Sequence, residues 1–542
     1  MKRTLASTLA LVLFAPTALV AQGRGQDESR DMDLARLGSL TNEVEAGVLG
    51  RAKLVQVMVD KIFSFAELGF QEVETSRYIT SVLREHGFEV EEGISGMPTA
   101  WWATWGSGRP IIALGSDIDG IPKASQKPGV AYHDPQVEGA PGHGEGHNSG
   151  QALNVAAALA LKDVMEAEGL SGTLVLWPGV AEELLGAKAW FVRDGHFRQV
   201  DAVLFTHVSS NLSVSWGQAN GTGLISAEFS FTGEAAHGAG APWRGRSALD
   251  AVELMNVGWN YRREHMRPEQ RSHHVIVDGG DQPNVVPSNA TVWYFVREIE
   301  PELIEENFAA LVRVAEGAAL MTDTEMSYRI VGAAHPRHFN RPIAQAMYSH
   351  IRTVGLPPWT EADQALGRAV QSEVGAKPIG LADTLAVFGP PPEEPRSGGS
   401  DDIGDISWAV PTVTLRFPAN IPDLPGHHWA NAVAMATPIS HKGTLTGAQV
   451  LARTALELFA RPSLVREAWA YYLEEQTRDQ EYVPFIDAGD APAIDKNRET
   501  MAEFRPRLVP LYFDETRYDT YLEQLGIAYP TLRPAEASGP GR

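Results

Sequence analysis

Gly142-His143-Gly144-Glu145-Gly146-His147-Asn148 sets two imidazoles and a carboxylate at alternate positions, with glycine between them. Glycine frees the backbone to bend, so the spacing predicts that His143, Glu145 and His147 converge on one point. A metal needs such convergence; a packed core would want branched apolar groups instead. The competing reading of this run alone is a polar, glycine-rich surface turn. Four further segments favour the metal. Asp117-Ile118-Asp119 follows an apolar run ending at Leu114, Glu182-Glu183 follows one ending at Trp177, and His207 follows one ending at Phe205. Gly426-His427-His428 comes much later, and one of its two histidines is expected to face the site.

Adjacent glutamates beyond a strand have a specific use. Their side chains point apart, so one can ligate while the other faces a bound water. A metal lowers the pKa of that water, and a free carboxylate then accepts its proton. Taken alone, the pair equally suits the first turn of a solvated helix, and a histidine at a strand end equally suits a core. The chain has no cysteine, so no ligand is a thiolate and no disulfide forms.

The elements that must position these groups alternate. Helical spacing covers Leu34 to Phe63, Glu74 to His86 and Ser149 to Met165, and short buried strands are expected at Pro110 to Leu114, Thr173 to Trp177 and Ala202 to Phe205. This predicts an α/β fold with a mixed, largely parallel sheet flanked by helices, and ligands at strand ends. The pattern then changes: strand-like at Leu224 to Thr232, helical from Arg246 to Arg263, strand-like at His274 to Val277 and Ala290 to Arg297, helical from Pro301 to Met321. That is an inserted α+β unit. Helix returns at Pro342 to Arg352, a strand surrounds Val413, and Thr444 to Phe459 is helical; Gly389 to Gly399 is a connecting loop. The expected divisions are a signal segment 1–21, a catalytic domain in two parts (35–223 and 333–461), the insert 224–332, and a C-terminal extension 462–542.

A chain of 542 residues exceeds the roughly 250–300 at which single cores stop growing. Its formal charge of −23 argues against nucleic acid or an anionic membrane surface as a partner. Lys2, Arg3, the apolar Leu5 to Val20 and the small Ala21 predict an export signal, and hence a periplasmic or secreted protein. Pro16 and the short span argue against a permanent anchor.

The ordered segments Asp117-Ile118-Asp119-Gly120-Ile121-Pro122, His143 to Asn148, Glu182-Glu183, Thr206-His207 and His427 resemble the co-catalytic metallopeptidases that include glutamate carboxypeptidase and aminoacylase, and within them the p-aminobenzoyl-glutamate amidohydrolase branch. Phe231-Thr232-Gly233 with Ala236-His237, Gly245 to Asp250, Pro283 to Val286, Ala315 to Thr322, Ile403 to Trp408 and His441-Lys442-Gly443 extend the resemblance over roughly residues 35 to 460.

The resemblance implies two divalent ions, zinc or else manganese or cobalt, held by Glu145, His147, Glu183, His207 and His427. It implies Glu182 as general base and Asp119 as a carboxylate that orients an imidazole. The insert would be a lid and homodimerisation domain, whose His237 polarises the scissile carbonyl in its own site or in that of a second copy. Asn284 and Arg297 would bind substrate, Arg297 as a two-pronged carboxylate donor, although a surface ion pair is its ordinary alternative. The activity implied is hydrolysis of an amide in an N-acyl or N-aroyl amino acid or small peptide; the alternatives are an exported dipeptidase and a non-catalytic metal- or peptide-binding relative. Relatives in this branch carry cysteine where this chain has Glu145. A carboxylate is harder than a thiolate and favours manganese, cobalt or a mixed site. If Glu145 does not ligate, Asp117 stands where peptidase relatives place a ligand histidine.

Overall fold

The computed structural model describes residues 30–533. The expected signal segment, 1–21, lies outside these residues, as does the end of the C-terminal extension.

The central sheet has six strands: β1 (Glu89–Glu92), β2 (Trp101–Ser107), β3 (Ile111–Asp117), β4 (Gly172–Gly179), β5 (Ala202–Ser209) and, late in the chain, β12 (Thr412–Pro418). Their order is β1-β2-β4-β3-β5-β12. The four from β4 to β12 pair in parallel, and β1 and β2 join antiparallel. The parallel strands are buried almost throughout, as strands covered on both faces are, which is why they read as continuous apolar runs. Trp177 crosses the face of β3 at Gly115, where any Cβ would overlap its ring. Helices Gly150–Glu168 and Pro438–Ala460 pack on each other and on this sheet, and helix Leu34–Leu49 packs on both of them.

Between β6 (Gly217–Gln218) and β11 (His338–Phe339), which pair antiparallel at the base of the insert, lies the α+β unit. Its strands β7 (Gly223–Thr232), β8 (Arg271–Asp278), β9 (Asn289–Glu298) and β10 (Glu325–Ala334) form an antiparallel sheet ordered β10-β7-β9-β8. Helices Ala248–Arg263 and Pro301–Thr322 cover it.

Several boundaries differ from expectation. The first helical stretch is two helices, broken after Leu49 and resumed at Ala52. β10 carries the insert to Ala334, beyond the expected 332. β5 runs on to Ser209, so His207 lies within a strand rather than after it, and Asp117 is the last residue of β3.

The C-terminal extension is held down along its length. The Tyr482 hydroxyl donates to Asp405 (2.8 Å), the His335 ring stacks on Phe485 (4.0 Å between centroids), and Trp190 Nε1 donates to the Asp490 carbonyl (2.9 Å). Asp495 then takes a two-pronged bond from Arg329 of β10, at 2.8 Å each, and Lys496 pairs with Glu228 of β7. Next in sequence, Asn497 donates to the Gly69 carbonyl (3.0 Å). The extension therefore joins the insert to the catalytic body.

Candidate metal centre

β3 and β4 end in register at Asp117 and Gly179, and β5 and β12 at Ser209 and Pro418, so four parallel strands deliver their carboxyl ends to one edge. Open α/β sheets bind ligands at that edge. Asp119 follows β3, Glu182 and Glu183 follow β4, and His207 sits near the end of β5.

Glu145, His147 and Glu183 offer ligand atoms within 4.8 Å of one another; Asp117, His147 and His207 form a second such group. His427 joins them, its Nε2 lying 3.1 Å from Glu145 Oε2 and 3.3 Å from Glu183 Oε2, while His207 Nε2 is 3.4 Å from Glu145 Oε1. All five expected ligands thus meet, together with Asp117. His143 does not. Its buried ring points into the body, with Nε2 3.2 Å from the Ile62 carbonyl, and desolvation pushes its pKa down to about 3. Alternation places three side chains at equal spacing, but only Glu145 and His147 reach the cluster, the chain between them turning at Gly146 (φ +121°).

His147 Nδ1 faces Asp119, 3.2 Å from its carbonyl and 3.4 Å from Oδ1, and Nε2 points away. The hydrogen bond is to the backbone carbonyl, and a partner on the far nitrogen orients a ligating imidazole. The expected carboxylate contact is not made as a hydrogen bond, since Asp119 Oδ1 is buried without a partner. His147 Nε2 and Glu183 Oε1 are buried without a hydrogen-bond partner, as is Asp117 Oδ2. Buried polar atoms are nearly always satisfied, and these unpartnered ones, amid nitrogen and carboxylate donors, fit divalent cations. Burial disfavours the His147 imidazolium, yet Asp119, Glu145 and Asp117 outweigh it and lift His147 to about 10. His207 is held down to about 3, by burial and then by Arg416.

Glu182 and Glu183 do point apart. Glu182 lies with Asp401 and Asp402, their carboxylate oxygens within 4.8 Å of one another; burial, then Asp117 and Asp401, push its carboxyl well above the ordinary range. The pair rides on a short 3-10 turn, Glu182–Leu184, bracketed by left-handed Ala181 (φ 50°) and Leu185 (φ 55°) rather than on an α-helix start. Behind it lies an ionic network that sequence reasoning misses. Lys188, wholly buried, donates to Asp117 Oδ1 (2.6 Å) and pairs with Asp402, and Arg337 and Arg416 face Asp401 at 3.5 and 3.7 Å. A signal exists: Arg416 interrupts an apolar strand, and Asp401-Asp402 directly precede Ile403 to Trp408.

Arg297 reaches this edge from the end of β9, its NH1 donating to Ser400 Oγ (2.8 Å) while buried Nε has no partner. His237 and Asn284 do not join the cluster; they lie together on the exposed insert, where Gly238 N–H donates to the Asn284 carbonyl (2.8 Å). His237 Nδ1 accepts from the backbone N–H of Ala239 (3.2 Å) and Gly240 (3.1 Å), which leaves its proton on Nε2.

Residues 222–320 match the peptidase dimerisation domain. The chain is 32% identical over 438 residues to a component of the p-aminobenzoyl-glutamate hydrolase of Escherichia coli, spanning 76% of this chain and 90% of that protein. It is 29% identical to the mouse Xaa-Arg dipeptidase, over 70% of this chain and 80% of that one. In fold it resembles an aminobenzoyl-glutamate utilization protein from Klebsiella pneumoniae, at a TM-score of 0.51 and 19% identity, over 76% of this chain and 98% of that one. With the extent of the first of these relationships and the ligand cluster at the sheet edge, the chain belongs to the M20 family of metal-dependent amidohydrolases and peptidases.

Proposed function

We propose that the protein is an exported amidohydrolase that cleaves the amide bond of an N-acyl or N-aroyl amino acid, using two divalent ions. The observation that carries this reading is the unpartnered His147 Nε2 and Glu183 Oε1 within a cluster completed by Glu145, His207 and His427. Ions held there by these residues would acidify a water and supply positive charge to offset the developing oxyanion. The chain's own groups do the rest. Glu182 accepts a proton and returns it to the leaving amine. Arg297, with its free Nε, takes the carboxylate of the amino acid. His237, locked with its proton on Nε2, donates to the carbonyl oxygen.

His237 and Asn284 lie on the dimerisation unit, so we assign them to the site of a second copy. The apolar residues left exposed on that unit support the pairing: Leu254, Val257 and Tyr261 recur along one helix, and Val275, Ile276 and Val277 lie on the edge strand β8. Export rests on the basic, then apolar N-terminus, and N-terminal sequencing of the periplasmic fraction checks it.

An exported dipeptidase is the second reading, favoured by the likeness to the Xaa-Arg dipeptidase. A panel of aryl-amide amino acids against dipeptides, run with added zinc, manganese and cobalt, separates the two. Hydrolysis of neither class with any metal would overturn both.

A further inference from the structure

Glu72 is wholly buried at the N-cap position of helix Val73–Glu85, yet it does not cap that helix. A short polar side chain at that position ordinarily accepts from the first turn's free N–H groups. Glu67 does this instead, taking the N–H of Glu74 (3.0 Å) and Thr75 (2.9 Å) while pairing with Arg505. Glu72 is thereby released to reach across the molecule. Its Oε1 accepts the Ala181 N–H (2.8 Å), and its Oε2 accepts the Thr99 hydroxyl (2.8 Å).

Ala181 is the left-handed residue on which the turn bearing Glu182 and Glu183 starts. A non-glycine residue holds that conformation only where its surroundings over-determine it. Two carboxylates supply the constraint from outside the turn: Glu72 at Ala181, and Asp119, whose Oδ2 accepts the Glu183 N–H (3.1 Å). The loop carrying Glu72 is packed against both, since a Cβ on Gly69 would lie 2.8 Å from Ala181 Cα and 3.1 Å from Asp119 Oδ2.

We propose that Glu72 is a positioning residue for amide hydrolysis, fixing through the Ala181 N–H the turn that aims Glu182. It touches neither substrate nor ion. The inference rests on the amidohydrolase reading, and the experiment separates the two: absence of turnover in the unaltered protein counts against that reading, whereas the comparison of variants counts only for or against Glu72.

The test is steady-state kinetics at saturating metal on E72L and E72Q, with unfolding midpoints measured alongside. Leucine removes the acceptor; glutamine keeps one oxygen in place. A misaimed catalytic group loses up to about a hundredfold in rate, so E72L should lose about 10- to 100-fold in kcat, with KM within about twofold. E72Q should keep kcat within about threefold. A lowered unfolding midpoint with unchanged kcat in E72L would assign Glu72 to stability alone, and equal loss in both variants would show that the acceptor is not what matters; either overturns the proposal. If E72L does not fold, T99V loosens the same carboxylate. A lower kcat at unchanged KM in T99V supports the proposal, and an unchanged kcat overturns it.

Discussion

Replacing Lys188 by Met keeps an unbranched stem, one atom shorter, and removes the charge. The ammonium is wholly buried between Asp117 and Asp402, with the Phe205 ring 5.0 Å away. Burial works against the charged lysine, but Asp117, Asp402 and Asp401 outweigh it and hold its pKa well above the usual value. Breaking a buried pair by removing one partner costs about 3–5 kcal/mol, a large share of the roughly 5–15 kcal/mol that keeps a protein folded. The loss must also depend on pH. Burial already raises Asp117 to about 7 with Lys188 beside it, and without the ammonium both carboxyls rise further. A carboxyl raised in the folded state stabilises it below the unfolded pKa, and that stability is lost as pH rises through the folded pKa. The K188M defect should therefore be full at pH 8 and shrink toward pH 5.5, by on the order of 2–3 kcal/mol at about 1.4 kcal/mol per unit of pKa. Urea unfolding followed by tryptophan fluorescence at both pH values reads this directly. A loss below about 1 kcal/mol at pH 8, or one equal at both pH values, would refute Lys188 as the counter-ion of this network.

Glu182→Gln should lower kcat by about 10²–10⁴-fold, the range of a general acid–base contribution, while metal content by elemental analysis stays unchanged; retained activity would remove Glu182 from the role. Glu145→Ala should lower the bound metal from two ions per chain toward one, because its oxygens face His207 and His427 separately; unchanged stoichiometry would show it is no ligand. His335 and His338 are held down to about 4 by burial. The unfolded chain binds these protons from about pH 6.5 and the folded chain only near 4, so each costs about 1.4 kcal/mol per unit as pH falls through that window. His335→Gln should flatten the slope of stability against pH by that amount. Asp495→Ala should lower global stability by no more than about 1 kcal/mol, since its bond to Arg329 is half-exposed, yet speed hydrogen exchange across residues 482–497; unchanged exchange would show that the extension is held elsewhere.

What can be read from the sequence follows local period. β3, β4, β5 and β12 are buried on both faces, so each announces itself as an apolar run, and the groups just beyond them are located with it. β1 escapes because Glu89-Val90-Glu91-Glu92 is an edge strand with little to bury, and β10 because its first half, Glu325 to Arg329, is largely exposed. His143 is misplaced by its spacing because even spacing along a chain does not fix which way each side chain faces, and its ring is spent on the Ile62 carbonyl. Lys188 and Asp402 are 214 positions apart, and Glu72 and Ala181 are 109 apart. No period links such pairs, and only the tertiary fold makes them neighbours.

Glu145 is where the chemistry of this site departs most from a thiolate design. A cysteine would offer one sulfur atom to be shared. The carboxylate offers two oxygens, and they separate: Oε1 faces His207, Oε2 faces His427. If Glu145 ligates, its two oxygens would serve the His207 and His427 sides of the site separately, where a sulfur would sit at a single point. Oxygen is also the harder donor, so a Glu145 that ligates should favour manganese or cobalt over soft-ligand zinc chemistry, which competition among the three ions for the protein tests. Asp117 stands with His207 and Glu183 with His427, but Glu145 is the carboxylate that faces both imidazoles. Metal preference and metal count in this chain should thus depend on one residue, and the same substitution at Glu145 reports on both.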